Sequence, residues 1–271
     1  MAYKRILTIQ DISCLGQCSL TVALPILSAC GHETCVLPTA LLSAHTAFED
    51  PAVWQLADAM EGIRAHWQRE GIRFDAIYTG YLGSLQAISE TEKIAREMLV
   101  PGGKLIVDPA MGDFGKLYTG FDGDYAEAMG ELCRKADLIL PNITEAAIFT
   151  GLPYEEKLTE DYVDQLLHKL DHPCVVLTGV GYTDREAGIA VWDHGRRYDY
   201  RHRRYPRICH GTGDLFASCF TGACLRGKSI RQAAELAADT VCLSIRNTGE
   251  DPEHWYGVRF ESAIPYLISR L

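Results

Sequence analysis

Six short apolar runs, at residues 5–10, 33–37, 76–79, 104–108, 138–140 and 175–178, alternate with stretches of helical periodicity, and this alternation constrains the fold more than any other feature of the chain. Strands separated by crossover helices pair in parallel, so the pattern predicts an α/β protein, a three-layer sandwich whose mostly parallel central sheet has helices on both faces. The segment 54–70 fits that frame, with Leu56, Ala57, Met60, Ile63 and Trp67 at the spacing of a helix face packed on a sheet. Residues 187–193 and 196–201 flank His194-Gly195 and predict an antiparallel hairpin at the sheet edge. Helices are expected over 214–226, 229–246 and 260–271. No repeat, low-complexity tract or linker divides the 271 residues, which predicts one domain over 1–271.

Composition narrows the class. With 47% hydrophobic residues the chain has ample material for a core, while a net charge of −10 argues against wholesale nucleic-acid binding. The first ten residues carry too short an apolar run for a signal peptide and no later run approaches a membrane span, so a cytoplasmic location without membrane attachment is expected. Ten cysteines scattered from Cys14 to Cys242 then read as reduced, mostly buried thiols. The loose Cys14/Cys18 and Cys30/Cys35 spacings lack a second Cys/His pair and argue against zinc.

In an open parallel sheet the ligand sits beyond the carboxyl ends of the strands, and the polar, glycine-rich segments fall there. Gln10-Asp11, Gly80-Tyr81-Leu82-Gly83-Ser84, Asp108-Pro109-Ala110-Met111-Gly112, Pro141-Asn142-Ile143-Thr144-Glu145 and Gly179-Val180-Gly181 each follow an expected strand. Gly211-Thr212-Gly213-Asp214 opens a helix and has two readings. It is either an anion cradle of backbone N–H groups ending in a general base, Asp214, or a glycine turn with an ordinary first-turn acid. As a base, Asp214 is expected to be ionised at neutral pH because a helix N-terminus favours the charged form. Asn142 with Glu145 likewise reads either as a metal and phosphate motif or as a capping pair. Asp108 ends an apolar strand, where a carboxylate is costly unless solvated, paired or metal-linked.

The segment 37–46 mixes Thr39, Ser43 and His45 into apolar surroundings, which suits a flat heteroaromatic ligand or a buried loop whose polar groups satisfy backbone. Tyr81 between glycines either stacks on such a ring or packs on the sheet. His194 and His202 read as solvated. Arg196, Arg197, Arg201, Arg203, Arg204 and Arg207 form one basic cluster, read as nucleotide steering or a solvated hairpin face. Neither G-x-x-x-x-G-K-[ST] nor a strand-following G-x-G-x-x-G occurs, which excludes those phosphate-binding motifs.

Gly211-Thr212-Gly213-Asp214, Asn142-Ile143-Thr144-Glu145 and Asp108, in this order over nearly the whole length, resemble the ribokinase superfamily. Thr8-Ile9-Gln10, Thr39 with Ser43-Ala44-His45-Thr46, and the segments at Gly80 and Asp108 are similar to the vitamin B6 (pyridoxal/pyridoxamine) kinases within it. The resemblance implies ATP-dependent phosphorylation of the 5′-hydroxymethyl group of a B6 vitamer, with Asp214 as base and the amides of Gly211, Thr212 and Gly213 as anion hole. It implies that Asp108 and Glu145 organise Mg2+, that Asn142, Thr178 and Gly179 lie near the nucleotide phosphates, and that Tyr118 belongs to a flap over ATP. Thr39, His45 and Tyr81 would line the ring pocket. A homodimer is also implied, with K+ as a further candidate cofactor.

One position departs from the pattern: Asp11 stands where related kinases carry Ser, and its carboxylate suits either a protonated ring nitrogen or the amino group of another heterocycle. Hydroxymethylpyrimidine kinase is the main alternative, although its characteristic glutamine is replaced in Ser43-Ala44-His45. A non-catalytic member that holds pyridoxal phosphate is a third reading. Sugar kinases are less compatible, because the segment 37–54 is short for their lid.

Overall fold

Residues 3–206, 209–249 and 251–271 are described by the structure, a computed structural model, which leaves Arg207 of the basic cluster outside the described residues. In chain order the elements are β1 (Arg5–Ser13), α1 (Leu20–Ala29), β2 (Glu33–Leu42), β3 (Val53–Gln55), α2 (Ala57–Arg69), β4 (Phe74–Thr79), α3 (Leu85–Met98) and β5 (Leu99–Val107). They continue with β6 (Gly112–Asp113), β7 (Lys116–Leu117), α4 (Gly123–Lys135), β8 (Leu138–Ile139), α5 (Ile143–Thr150), α6 (Glu160–Lys169) and β9 (Cys174–Thr178). The last are β10 (Glu186–Asp193), β11 (Arg196–Arg203), α7 (Thr212–Leu225), α8 (Ile230–Thr248) and α9 (Ile264–Arg270). The expected mixed, mostly parallel sheet with its antiparallel hairpin is present.

Two compact units divide the chain, residues 1–104 with 205–271 and residues 105–204. In the first, β1 runs parallel to both β2 and β4, in register Leu7 to Cys35 and Leu7 to Ile77, and β3 adds antiparallel to β2. Ile6, Leu7, Ile9, Ala76, Ile77 and Tyr78 are all inaccessible, as strands covered on both faces require. Helix α7 is buried along Leu215–Ala223, where Ser218 and Thr221 stand among apolar residues, and it packs between α1 and α8. The buried His32 ties the chain after α1 to α7 through a 3.0 Å hydrogen bond between its Nε2 and the carbonyl of Gly222.

In the second unit β5, β8 and β9 pair in parallel, and β10 and β11 extend the sheet antiparallel from β9. The β10–β11 turn is His194-Gly195, both left-handed at φ 47° and 83°, which matches the twist of a two-residue hairpin. The arginines of this hairpin are largely spent locally. Arg197 meets Asp164 at 2.6 Å and Asp199 at 2.8 Å and also bonds the hydroxyl of Tyr182, while Arg201 meets Glu160 at 2.9 Å and lies over the Tyr182 ring.

Several boundaries differ from the sequence reading. The expected helix over 54–70 begins only at Ala57, because Trp54 belongs to the exposed edge strand β3. Strand β5 starts at Leu99, five residues before the expected 104, and passes through Pro101-Gly102-Gly103 with Gly102 left-handed at φ 78°. The expected helix over 260–271 opens as a 3-10 turn at Glu261–Ala263 before α9.

Candidate active site

The first unit gathers Asp214 with the β1 end. Gly211 is the N-cap of α7 in the left-handed conformation (φ 76°), and a Cβ there would lie 1.6 Å from the carbonyl oxygen of Gln17. Only glycine fits so close an approach. The amides of the first turn of α7 have no intrahelical acceptor, and Asp214 sits in that same turn. Its carboxyl is pushed up to about 7, chiefly by burial, with the backbone N–H of Ser19 opposing and the charge of Asp11 adding to the rise. The expectation of a fully ionised Asp214 is therefore corrected: enclosure and a second carboxylate outweigh the helix terminus, and the group is divided between its two forms near neutral pH. The residue as a whole keeps some exposure, so its carboxylate is shielded without being sealed.

Asp11 occupies the irregularity of β1 where the register with β2 slips between Gln10 and Ile12. A bulge turns a side chain out of strand alternation, and here it delivers a buried carboxylate to the strand end. Burial raises its pKa, and the hydroxyls of Ser19 and Ser13 oppose the rise, Ser13 Oγ donating at 2.9 Å. Ser19 thus favours the ionised form of both acids, its hydroxyl acting on Asp11 and its N–H on Asp214. It does so at φ 51°, left-handed for a residue with a side chain, as the N-cap residue of α1 whose side chain makes no capping bond. Neither Ser19 nor Ser13 stood out in the sequence. The Cys18 thiol is pushed far up by burial and then by Asp214 and Asp11, which keeps it protonated.

Thr39 Oγ1 donates to the carbonyl of Tyr81 at 2.9 Å, and Asp11 contributes to the raised pKa of Tyr81 after burial, so Asp11, Thr39 and Tyr81 come together. His45 Nε2 lies 2.6 Å from the carbonyl of Tyr256, and Nδ1 accepts from the N–H of Ala47 at 3.2 Å. That pattern assigns the neutral tautomer protonated on Nε2. The proton of Thr39 and both nitrogens of His45 are engaged by backbone, which leaves a ligand the lone pairs of Thr39 and the imidazole face. That face sits among Phe48, His210 and Trp255, aromatic neighbours the sequence did not single out.

The second unit builds a separate set. Asn142 caps α5 in a complete capping box: its Oδ1 accepts from the N–H of Glu145 at 3.0 Å, and Glu145 Oε2 accepts from the N–H of Asn142 at 2.9 Å. Glu145 Oε1 also accepts from the N–H of Met111 at 2.9 Å, so one buried carboxylate anchors both α5 and the loop after β5. Burial raises its pKa, against the amides of Asn142, Met111 and Gly112. Asp108, the first residue beyond β5, accepts from the N–H of Ala110, and both Asp108 and Glu145 act on the buried thiol of Cys133. Thr178 ends β9, bridges to Asn142, and is followed by left-handed Gly179, whose Cα would direct a Cβ toward Ile143. The loop after Asp108 forms a small hairpin, β6–β7, around Phe114-Gly115, and the half-exposed Tyr118 leaves it with its N–H on the carbonyl of Met111. Asp108, Asn142, Glu145, Thr178, Gly179 and Tyr118 therefore belong to one strand-end cluster.

A family model described as phosphomethylpyrimidine kinase matches residues 29–257. The chain belongs to the phosphomethylpyrimidine kinase family. Within and around this kinase family, a crystal structure of a candidate phosphomethylpyrimidine kinase from Bacteroides thetaiotaomicron with pyridoxal is 34% identical, with TM-score 0.93 over 98% of this chain and 96% of that one. Pyridoxal kinase from Lactobacillus plantarum is 33% identical, with TM-score 0.90 over 99% and 98%. Pyridoxal kinase of Arabidopsis thaliana is 25% identical over 264 residues, 91% of this chain and 83% of the relative. The ribokinase-like fold expected from the motifs is that of these kinases. No helix among the described residues is long and apolar enough to cross a membrane.

Proposed function

We propose that this kinase transfers the γ-phosphoryl group of ATP to the 5′-hydroxymethyl oxygen of a B6 vitamer. The observation that carries the reading is the Gly211 cap: a left-handed residue with no room for a Cβ, opening α7 so that amides with no intrahelical acceptor and the Asp214 carboxylate share one turn. Asp214 takes the proton of the alcohol as its oxygen attacks phosphorus, and a pKa near 7 lets it accept that proton at neutral pH without being a weak base. The amides of Gly211, Thr212 and Gly213 hold the charge that gathers on the phosphoryl oxygens. Asp11, Thr39, His45 and Tyr81 hold the ring, with Asp11 directed at its nitrogen.

Asp108 and Glu145 offer only carboxylate oxygens, the donor type magnesium takes, and each Glu145 oxygen retains lone pairs beyond its backbone bond. Magnesium held by Asp108 and Glu145 would supply charge neutralisation at the phosphate oxygens. Asn142, Thr178 and Gly179 contact the nucleotide phosphates, and Tyr118 covers the nucleotide. The resemblance to B6 kinases also supports a single catalytic domain over 1–271, a homodimer, a cytoplasmic location and K+ as a candidate cofactor. Light scattering of the purified protein tests the dimer.

ADP release measured with pyridoxal, pyridoxamine, pyridoxine and hydroxymethylpyrimidine tests the substrate. Turnover of the vitamers is the expected result. Turnover of the pyrimidine alone supports the second reading, hydroxymethylpyrimidine phosphorylation, which the family description favours and which the Asp11 carboxylate also suits.

A further inference from the structure

The β10–β11 turn carries a group of side chains that neither the nucleotide set nor the ring set uses. Asp193 ends β10 directly opposite Cys174, the first residue of antiparallel β9, so the two side chains stand on one face of the sheet. His194 follows in the left-handed turn, and its N–H donates to the carbonyl of Pro173 at 2.8 Å, which fixes the turn against the entry to β9. Cys174 Sγ lies 3.7 Å from Asp193 Oδ1 and 3.6 Å from His194 Nε2, and one donor atom from each of the three residues falls within 4.8 Å of the others. Among the described residues this is the one group of three or more such side chains that meets that spacing.

We propose that Cys174, Asp193 and His194 form a zinc site that staples the turn of the β10–β11 hairpin to β9. A tetrahedral zinc ion with bonds of about 2.3 Å to sulfur and about 2.0 Å to nitrogen and oxygen sets its ligands about 3.5 Å apart, which the two sulfur distances match. The donor set selects the metal: thiolate and imidazole suit zinc, whereas magnesium takes oxygen ligands. Three protein ligands leave the fourth position to water. The site rests on paired strands rather than on a loose loop, and buried His172 steadies it by bonding the backbone of Cys174 and the carbonyl of Ala136. It is distinct from the nucleotide set, because Thr178 stands at the other end of β9, about 13 Å away along the strand at about 3.3 Å per residue. The sequence hid it because Cys174 and His194 are twenty residues apart and meet only through the antiparallel turn.

The test is equilibrium dialysis of the chelator-treated full chain against zinc with magnesium in excess to fill oxygen-only sites, together with cobalt absorption spectra. The expected result is one zinc equivalent, a thiolate-to-cobalt charge-transfer band, and a melting temperature raised by zinc. His194→Asn keeps a residue that accepts the left-handed turn, so it folds, and it is expected to weaken zinc binding by more than about tenfold and to abolish the rise in melting temperature. Cys174→Ala is expected to remove the charge-transfer band. Zinc binding unchanged in His194→Asn, a band that persists in Cys174→Ala, or no zinc bound at micromolar concentration overturns the proposal.

Discussion

Asp214 and Asp11 are one electrostatic unit: each is a carboxylate pulled from water, and the charge of Asp11 helps to raise the pKa of Asp214. The base form of Asp214 exists above its pKa, so kcat/KM is expected to rise with pH through about 7 and then level off. Removing the neighbouring charge in Asp11→Asn moves that acid limb to lower pH, which a pH–rate profile of the variant checks. Asp214→Asn is expected to lower kcat by roughly 10²–10⁴-fold while nucleotide binding by calorimetry persists. Its stability carries a second signature. A folded-state pKa above the unfolded value contributes stability below the unfolded pKa and loses it as pH rises through about 7, so ionised Asp214 costs the parent stability at pH 8. The uncharged asparagine escapes that cost. Its melting temperature should exceed the parent's at pH 8, with the gap closing toward pH 5; a gap that does not change with pH would contradict the raised pKa.

At the level of elements, contiguous signals were legible and assembled ones were not. Gly211 to Asp214, Asn142 with Glu145, and Asp108 each announce themselves within a few residues, because a helix start or a strand end imposes a local residue pattern. Asn142 and Glu145 turn out to satisfy the capping reading in full and still to present carboxylate oxygens, so those two readings were never exclusive. Ser19 belongs to no local motif, and its role arises only where β1, α1 and α7 converge. Strands β3, β6 and β7 are two or three residues long, too short for any period to register. The Gly211 cap gives the sharpest test at this scale. Gly211→Ala places a Cβ against the Gln17 carbonyl at φ 76°, and we expect a loss of more than about 1 kcal/mol in denaturant unfolding together with loss of activity. Unchanged stability would mean that the α7 entry is looser than described.

Over the whole molecule, residues 105–204 form one uninterrupted unit, whereas the other is made from two distant stretches. A chain stopped after Arg204 lacks α7, the buried helix against which α1 packs, so Ile26 and Leu27 lose cover. Limited proteolysis of that truncated chain is expected to digest 1–104 first and to leave fragments from 105–204; equal digestion of both would contradict the division. The same division has a consequence for how the protein is made. Synthesis runs from the N-terminus, and residues 105–204 can close their own contacts while the remainder is still being translated. Asp11 is made about two hundred residues before its partner Asp214 and the helix that carries it. Over that interval the nascent chain holds Asp11 without Asp214, and the proposed base is completed only after all of residues 105–204 have been made.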